Sequence, residues 1–362
     1  LSERTGKPRD LQRSPFLILT WSGNGRVITN YRLRKTVDGT PLLLEILDFL
    51  GQRRQPGELA ERFGWSSKQC AQLVTKLRSL GLVVQGKHHE VGVWQAWDPQ
   101  AGFLHFSSRD TAFPTDVVTA EQEFLARERG TRGPKPCSSR RGRRVSLDSP
   151  LKTSVGAQLV RRRTWREFGG AKLTLPQLST MLTVTFGVQH WARSTAGARV
   201  PLKTSPSGGA CHPIEAYVAI NGVNGVAPGL YHFDAARKDL VLLRRGMRRS
   251  TLQRYLPSQP WFWSAPAVVF LASVFERTIW RYPSPRSYRN VFLEAGHFAQ
   301  SFCLLATELG LAPFCTHAFV DTAVEADLQL DGVNEGVVYA VGCGTRPTGG
   351  WRPGIPPTKE HR

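Results

Sequence analysis

No two cysteines of this chain stand at CxxC spacing. The six lie at 70, 137, 211, 303, 315 and 343, which argues against a zinc site or a thioredoxin-like motif. Several fall inside apolar runs, where a free cysteine behaves as a small hydrophobe, and the compartment reads as reducing. Acidic residues are scarce as well: 28 Asp and Glu stand against 48 Lys and Arg, a formal net charge of +20. That balance favours a polyanion, a phosphorylated ligand or an acidic peptide as partner, without choosing among them. Long apolar runs are missing. "APAVVFLASVF" (265–275) is too short to span a bilayer, and "LSERTGKPRD" at the start has no signal-peptide core. The expectation is a soluble cytoplasmic chain with no membrane partner. Neither a GxGxxG nor a P-loop sequence occurs, so a Rossmann nicotinamide site has no support. There is no internal repeat.

What the chain does hold is apolar residue enough, 41% of 362, for more than one small core, and its length suggests two domains. Residues 16–34 predict two short strands around the turn "SGNG". Leu43, Leu44, Ile46, Leu47 and Leu50 then form a helical stripe that stops at Gly51. Pro56 opens a second helix ending near Gly64. Ser66 or Ser67 caps a third, with an inner face of Cys70, Leu73, Val74, Leu77 and Leu80. Gly81 stops it and "LVV" begins a strand. Three helices followed by a strand make a winged helix-turn-helix pattern, here preceded by a hairpin.

From 127 to 167 the chain carries 13 basic and 3 acidic residues. Most of that stretch lacks apolar residues and period, and reads as a linker or mobile basic arm. Beyond it, "LTLPQLSTMLTVTFGV" predicts an amphipathic helix, and "IEAYVAI" and "PGLYHFD" alternate as strands. "AVVFLASV" is a continuous apolar run, consistent with a strand buried on both faces. From Tyr288 a helix carries Val291, Ala295, Phe298, Phe302, Leu305 and Leu309 on one stripe, widened by Phe292, Ala299 and Leu304. A helix so apolar is buried on several sides, as core centre or dimer seam. Glu294 and His297 lie on it with no partner identifiable from the sequence, and the histidine reads as a satisfied core residue.

Residues 161–168, "RRRTWREF", place four arginines within six positions. Guanidiniums tolerate such crowding when a phosphate dianion takes their charge through charge-assisted hydrogen bonds. The plainer alternative is a solvated continuation of the basic arm. From Arg162 the stretch resembles the Arg-Arg-Ser-x-Arg-x-Phe opening of the flavin-dependent nitroreductase fold, with Thr for Ser. Three further segments follow in that family's order, nearer to its SagB/McbC-type branch, which oxidises azoline rings in peptides. The resemblance covers roughly residues 155–350. It implies an α+β domain with a central mixed or antiparallel sheet flanked by helices, and FMN as cofactor.

By position, the resemblance puts Arg162 and Thr164 on the FMN phosphate, Arg163 nearby, and Arg166 at the N1–C2 carbonyl edge of the ring. "SPSGGACHPIE" (205–215) resembles a Pro-Ser-x-Gly-x-x-x-Pro-x-Glu stretch where backbone amides approach the flavin and a Cβ would obstruct them. Pro206, Ser207 and Gly208 are the implied contacts. "LGLAPFCTHAFVDT" (309–322) resembles the loop that offers N–H groups to flavin N5 and O4, here from His317 and Ala318. The His317 side chain reads as structural, and Arg346 in "VVYAVGCGTRP" is a further phosphate candidate. "IWRYPSPRSYRN" (279–290) resembles a Trp-Lys-Tyr-x-x-x-x-x-Tyr-Arg pattern, with Arg281 replacing the lysine. A guanidinium stays protonated at physiological pH, so Arg281 cannot be a base. Tyr282 is then the implied proton acceptor, with Arg281 lowering its pKa or orienting the substrate. The alternative is that both cover a strand end.

For the front domain, Lys68, Gln69, Gln72, Lys76 and Arg78 face outward from the third helix, where DNA phosphates would be in reach. The hairpin-plus-winged-helix order instead resembles the peptide-recognition domains of enzymes that modify ribosomal peptides, which add a leader peptide as a strand to the sheet edge. Leader binding is the expectation, ahead of scaffolding or DNA binding.

The expected organisation is a winged-helix recognition domain over 1–100, a basic linker over 101–154 and a nitroreductase-like FMN domain over 155–362. The resemblance implies a homodimer, oxidation of thiazolines or oxazolines to azoles in a precursor peptide, oxygen as electron acceptor, and a partner cyclodehydratase. No metal is expected. The alternatives are an NAD(P)H-dependent nitro or quinone reductase and a cofactor-free regulator or scaffold.

Overall fold

Thr40 and Ser66 start two of the front helices by local chemistry. The Thr40 hydroxyl accepts from the Leu43 N–H with Pro41 in the first turn, and Ser66 forms a capping box with Gln69. The computed structural model that shows this describes residues 10–23, 25–85, 92–110, 122, 152–193, 197 and 199–351. It divides into two units: Leu1–Arg109 with Tyr282–Tyr288, and Asp110–Arg281 with Arg289–Arg362.

In the first unit, strands β1 (Leu11–Arg13), β2 (Leu17–Ser22), β3 (Gly25–Asn30) and β4 (Lys35–Asp38) precede helices Pro41–Phe49, Pro56–Phe63 and Ser67–Ser79, and β5 (Val83–Gln85) follows. β2, β3 and β4 form one antiparallel sheet in that order, while β1 pairs with β5. Gly23 takes φ +57 in the β2–β3 turn, a conformation that glycine adopts without strain. Ile46, Leu47, Leu50, Leu59, Cys70, Val74 and Leu77 meet Leu11, Ile28 and Leu82 in one core. Leu73 and Leu80, expected on the inner face of the third helix, pack only at its margin.

The boundary expected at 100 falls inside helix Asp98–Ser108. The unit runs on because Trp94, Trp97 and Phe106 are buried there, ring against ring. Trp97 Nε1 donates to the Tyr282 carbonyl at 3.1 Å and to Ser287 Oγ at 2.8 Å, and His105 Nδ1 meets the Tyr288 hydroxyl at 2.8 Å. Residues 282–288 thereby complete the core of the first unit. Most of the basic arm expected over 101–154 lies outside the described residues.

The second unit holds a hairpin of β6 (His190–Arg193) and β7 (Arg199–Leu202), then β8 (Ile214–Ile220), β9 (Gly229–Asp234), β10 (Asp239–Arg245), β11 (Ala267–Val274), β12 (Leu311–Thr316) and β13 (Glu335–Thr345). The last six form one sheet in the order β10-β9-β8-β11-β13-β12, with every neighbouring pair antiparallel. β11 sits inside this sheet and Ala267 to Ala272 are all fully buried, so its apolar run marks burial of both faces. The fold is α+β.

Helix Tyr288–Glu308 buries Val291, Ala295, Phe298, Ala299 and Phe302. Phe292 and Leu293 remain 45% and 60% exposed, so the buried stripe lies along one side of the helix. His297, expected in the core, is exposed instead: it lies on the outer side, with Nδ1 3.4 Å from the Pro206 carbonyl. Among the described residues, no helix is long and apolar enough to cross a membrane.

Candidate functional site

Residues 162–169 run as an extended strap along the ends of β12 and β13. The Trp165 N–H donates to the Pro313 carbonyl at 2.9 Å and the Gly169 N–H to the Thr345 carbonyl at 2.8 Å. Trp165 is buried, and Phe168 packs flat over Gly344, where an added Cβ would lie 2.7 Å from the ring. The two aromatics anchor the strap, leaving Arg162 and Arg166 half-buried and Arg163 exposed. The crowded cations are thus held by their apolar neighbours.

The arginines differ in what already occupies them. Arg163 caps its own helix, donating to the Val160 and Arg162 carbonyls at 2.6 and 2.8 Å. Arg346 donates to the Leu311 and Thr307 carbonyls at 3.1 and 3.0 Å, at the C-terminal end of the long helix where a cation suits the dipole. That arrangement turns Arg346 largely to structural use, a correction to the expectation that it serves phosphate. Arg162 is half-buried, lies 3.5 Å from Thr164 Oγ1 and has no carboxylate partner among the described residues. The Arg166 guanidinium lies over the Trp261 ring at 5.9 Å.

The 311–318 segment joins the strap. A hydrogen bond with Cys303, aided by Tyr339 and by the charges of Arg162 and His317, pulls the Cys315 thiol below its ordinary value of 9.0 against the effect of burial. Arg162 and His317 therefore share one neighbourhood. The Ala318 N–H, expected to face a flavin, donates to Thr316 Oγ1 at 3.0 Å, because that hydroxyl sits two residues back in a tight turn. Among the described residues the His317 N–H, like that of Phe319, makes no hydrogen bond and is open to a ligand. Gln259 also donates to Thr316 Oγ1, while its own Oε1 and the Trp261 Nε1 are buried without a hydrogen-bond partner.

These residues fit FMN. A half-buried guanidinium without a carboxylate, beside a hydroxyl, suits a phosphate dianion, and orphaned buried polar atoms suit the polar edge of a ring. Among the described residues no group of three or more His, Cys, Asp or Glu side chains is placed to hold a metal.

The second part of the site is the loop of residues 203–212. Pro206 and Gly208 are exposed, and Ser207 Oγ accepts from the His212 N–H at 2.9 Å. Gly209, Ala210 and His212 take φ +61, +53 and +42, a left-handed path that costs energy at the two non-glycine positions. Beside the loop is a cavity of about 440 Å³ whose wall includes Trp191, Lys203, Cys211, His212, Glu215 and Arg277. Burial opposes ionisation of Glu215, but His232, Arg277 and Lys203 outweigh it and hold the carboxyl at about 2. Sequence reasoning missed this cavity. Only the glycine pair and the following strand marked the loop as unusual.

The expected catalytic pair is divided: Arg281 ends helix Phe275–Arg281 of the second unit, and Tyr282 belongs to the first. The charge of Arg281 acts on Cys211 at the cavity.

Residues 159–345 match the model of the nitroreductase family. The chain belongs to that family. Every expected cofactor residue except Arg346 falls within the matched span. The chain is 34% identical over 172 residues to a protein of Methanocaldococcus jannaschii named as a candidate nitroreductase, MJ1384, across 48% of this chain and 82% of that one. It is 31% identical over 183 residues to the trifolitoxin-processing protein TfxB of Rhizobium leguminosarum bv. trifolii, across 48% of this chain and 49% of TfxB. The alignment thus spans about half of TfxB. In the structure of the E. coli microcin synthetase McbBCD complex with truncated pro-MccB17 bound, one chain is 19% identical. It has a TM-score of 0.46 and covers 72% of this chain and 98% of that one.

Proposed function

We propose that this chain is an FMN-dependent dehydrogenase that oxidises thiazoline or oxazoline rings to azoles in a ribosomally made precursor peptide. The observation that carries the flavin part is Arg162, a half-buried guanidinium beside Thr164 with no carboxylate partner among the described residues. Similarity to a trifolitoxin-processing protein supports a peptide as substrate. When bound, FMN supplies a two-electron acceptor. Arg162 and Thr164 would hold its phosphate, with Arg163 nearby. Arg166 would take the ring edge, the His317 N–H would donate to the ring, and Pro206, Ser207 and Gly208 would let backbone approach it. Tyr282 and Arg281 stand by motif position as candidates for proton transfer and orientation.

The partners proposed are the precursor peptide, a cyclodehydratase that forms the azoline, and a second copy of the chain. Leu293 of the long helix, with Val155, Leu159 and Val160 of helix Ser154–Arg161, is exposed apolar surface that a second copy would cover. For the leader, β2 is an edge strand of its sheet with Leu19 and Trp21 exposed, the geometry that strand addition needs.

The test is incubation with a synthetic peptide carrying one thiazoline, in air and without nicotinamide, followed by mass spectrometry. Loss of two hydrogens from the peptide is expected. Rapid bleaching of the flavin by NADPH with no azole formed points instead to a nitro or quinone reductase.

A further inference from the structure

The chain that leaves β13 comes back to the strap. Arg346 pins the start of this return: its side chain donates to the Leu311 and Thr307 carbonyls, and its guanidinium lies 5.6 Å from the Trp165 ring centroid. A turn then reverses the chain, with the Gly350 N–H donating to the Pro347 carbonyl at 3.1 Å. Gly350 takes φ +72 there, which glycine adopts without strain. The turn delivers Trp351 to the strap. Its Nε1 donates to the Thr164 carbonyl at 3.0 Å, and its ring centroid lies 5.4 Å from the Arg163 guanidinium.

The peptide unit between Thr164 and Trp165 is therefore tied at both ends. Its N–H donates to the Pro313 carbonyl of β12, and its C=O accepts from Trp351. In a trans peptide these groups point in opposite directions, so β12 and Trp351 grip the strap from two sides and hold its plane. That plane sets the direction in which the Thr164 side chain leaves the backbone. Thr164 Oγ1 lies 3.5 Å from Arg162 and makes no other hydrogen bond among the described residues, so the hydroxyl is free for a ligand. Arg163 is engaged by the Val160 and Arg162 carbonyls and by the Trp351 ring, and its part is to hold the strap. Trp351 itself adds little to the core. It is 41% exposed, and Trp165 and Phe168 already anchor the strap against the sheet.

We propose that Trp351 is a positioning residue for the phosphate of FMN: it holds the Thr164–Trp165 peptide so that the Thr164 hydroxyl meets the phosphate beside the Arg162 guanidinium. The proposal rests on the FMN reading above. It assigns residues 346–351 to the cofactor site. Selection of phosphorylated flavin over riboflavin then depends on a residue that acts on the strap rather than on the flavin ring.

The test compares FMN with riboflavin, which has the same ring and no phosphate, on the full chain freed of bound flavin. Trp351→Phe keeps a ring beside Arg163 and removes the N–H; Trp351→Ala removes both. Affinities are read by flavin fluorescence titration. Trp351→Phe is expected to weaken FMN about fivefold, the scale of one hydrogen bond to a carbonyl, and Trp351→Ala about tenfold or more. Riboflavin affinity is expected to stay within about twofold in both variants, and the thermal midpoint of the apoprotein within about 2 °C. A second readout uses FMN alone. In a Thr164→Val background, Trp351→Phe is expected to have a smaller effect than in the wild-type chain, because the hydroxyl it positions is already gone. This cycle decides the matter if riboflavin binds too weakly to titrate. Equal weakening of FMN and riboflavin, unchanged FMN affinity in Trp351→Ala, or fully additive effects in the cycle overturns the proposal. A wild-type chain that binds FMN no better than riboflavin, or binds neither, overturns the phosphate reading itself, and so the two failures stay distinct.

Discussion

Arginines in the second unit fall into two groups by what neutralises them. Arg244 and Arg254 both pair with Asp327, and Arg277 pairs with Glu215. Arg162 and Arg163, in the strap, have no carboxylate partner among the described residues. The first group ties strands and helices together, and its charge is balanced within the protein. The second group is positioned by Trp165 and Phe168, which pack against the sheet without offering any negative charge. A guanidinium balanced internally serves the fold; Arg162, half-buried and unbalanced, is suited to an anion from outside, while exposed Arg163 caps its own helix.

Arg162→Ala should have the largest effect on that contrast. FMN affinity, measured by flavin fluorescence titration, is expected to fall about a hundredfold, as for loss of charge-assisted hydrogen bonds to phosphate. The thermal midpoint of the apoprotein is expected to stay within about 2 °C. Unchanged affinity would leave the contrast without functional meaning. Asp327→Asn should do the reverse with a smaller effect. It removes the carboxylate that accepts from the buried Tyr255 hydroxyl at 2.6 Å as well as from two half-exposed arginines. A loss of about 2 kcal/mol in urea unfolding is expected, most of it from Tyr255, with FMN affinity unaltered. Weakened FMN binding in this variant would mean that the two groups are not separate.

Much of this was legible in the sequence where the signal is local. The stripe from Leu43 to Leu50, the cap at Ser66 and the buried run of β11 each follow from a period or a capping residue, and each forms as expected. The strap was legible because four cations in six residues need a reason. Long-range pairings left no such trace. Trp97 meets the Tyr282 carbonyl across 185 residues, so no window of sequence shows that residues 282–288 complete the front core. The same holds for His212 and Glu294, which lie on a loop and on a distant helix. His297 was misplaced because a helix apolar on most sides hides which side faces out. The Ala318 N–H was misassigned because a hydroxyl two residues earlier competes for it, a detail of turn geometry rather than of pattern.

The central claim is that the strap binds the phosphate of FMN. It is tested most directly by purifying the chain under native conditions, recording its visible absorption spectrum and identifying any released chromophore by mass. Stoichiometric FMN is the expected result. A colourless protein that FMN cannot reconstitute would contradict the account and leave the front unit as the place to look for function.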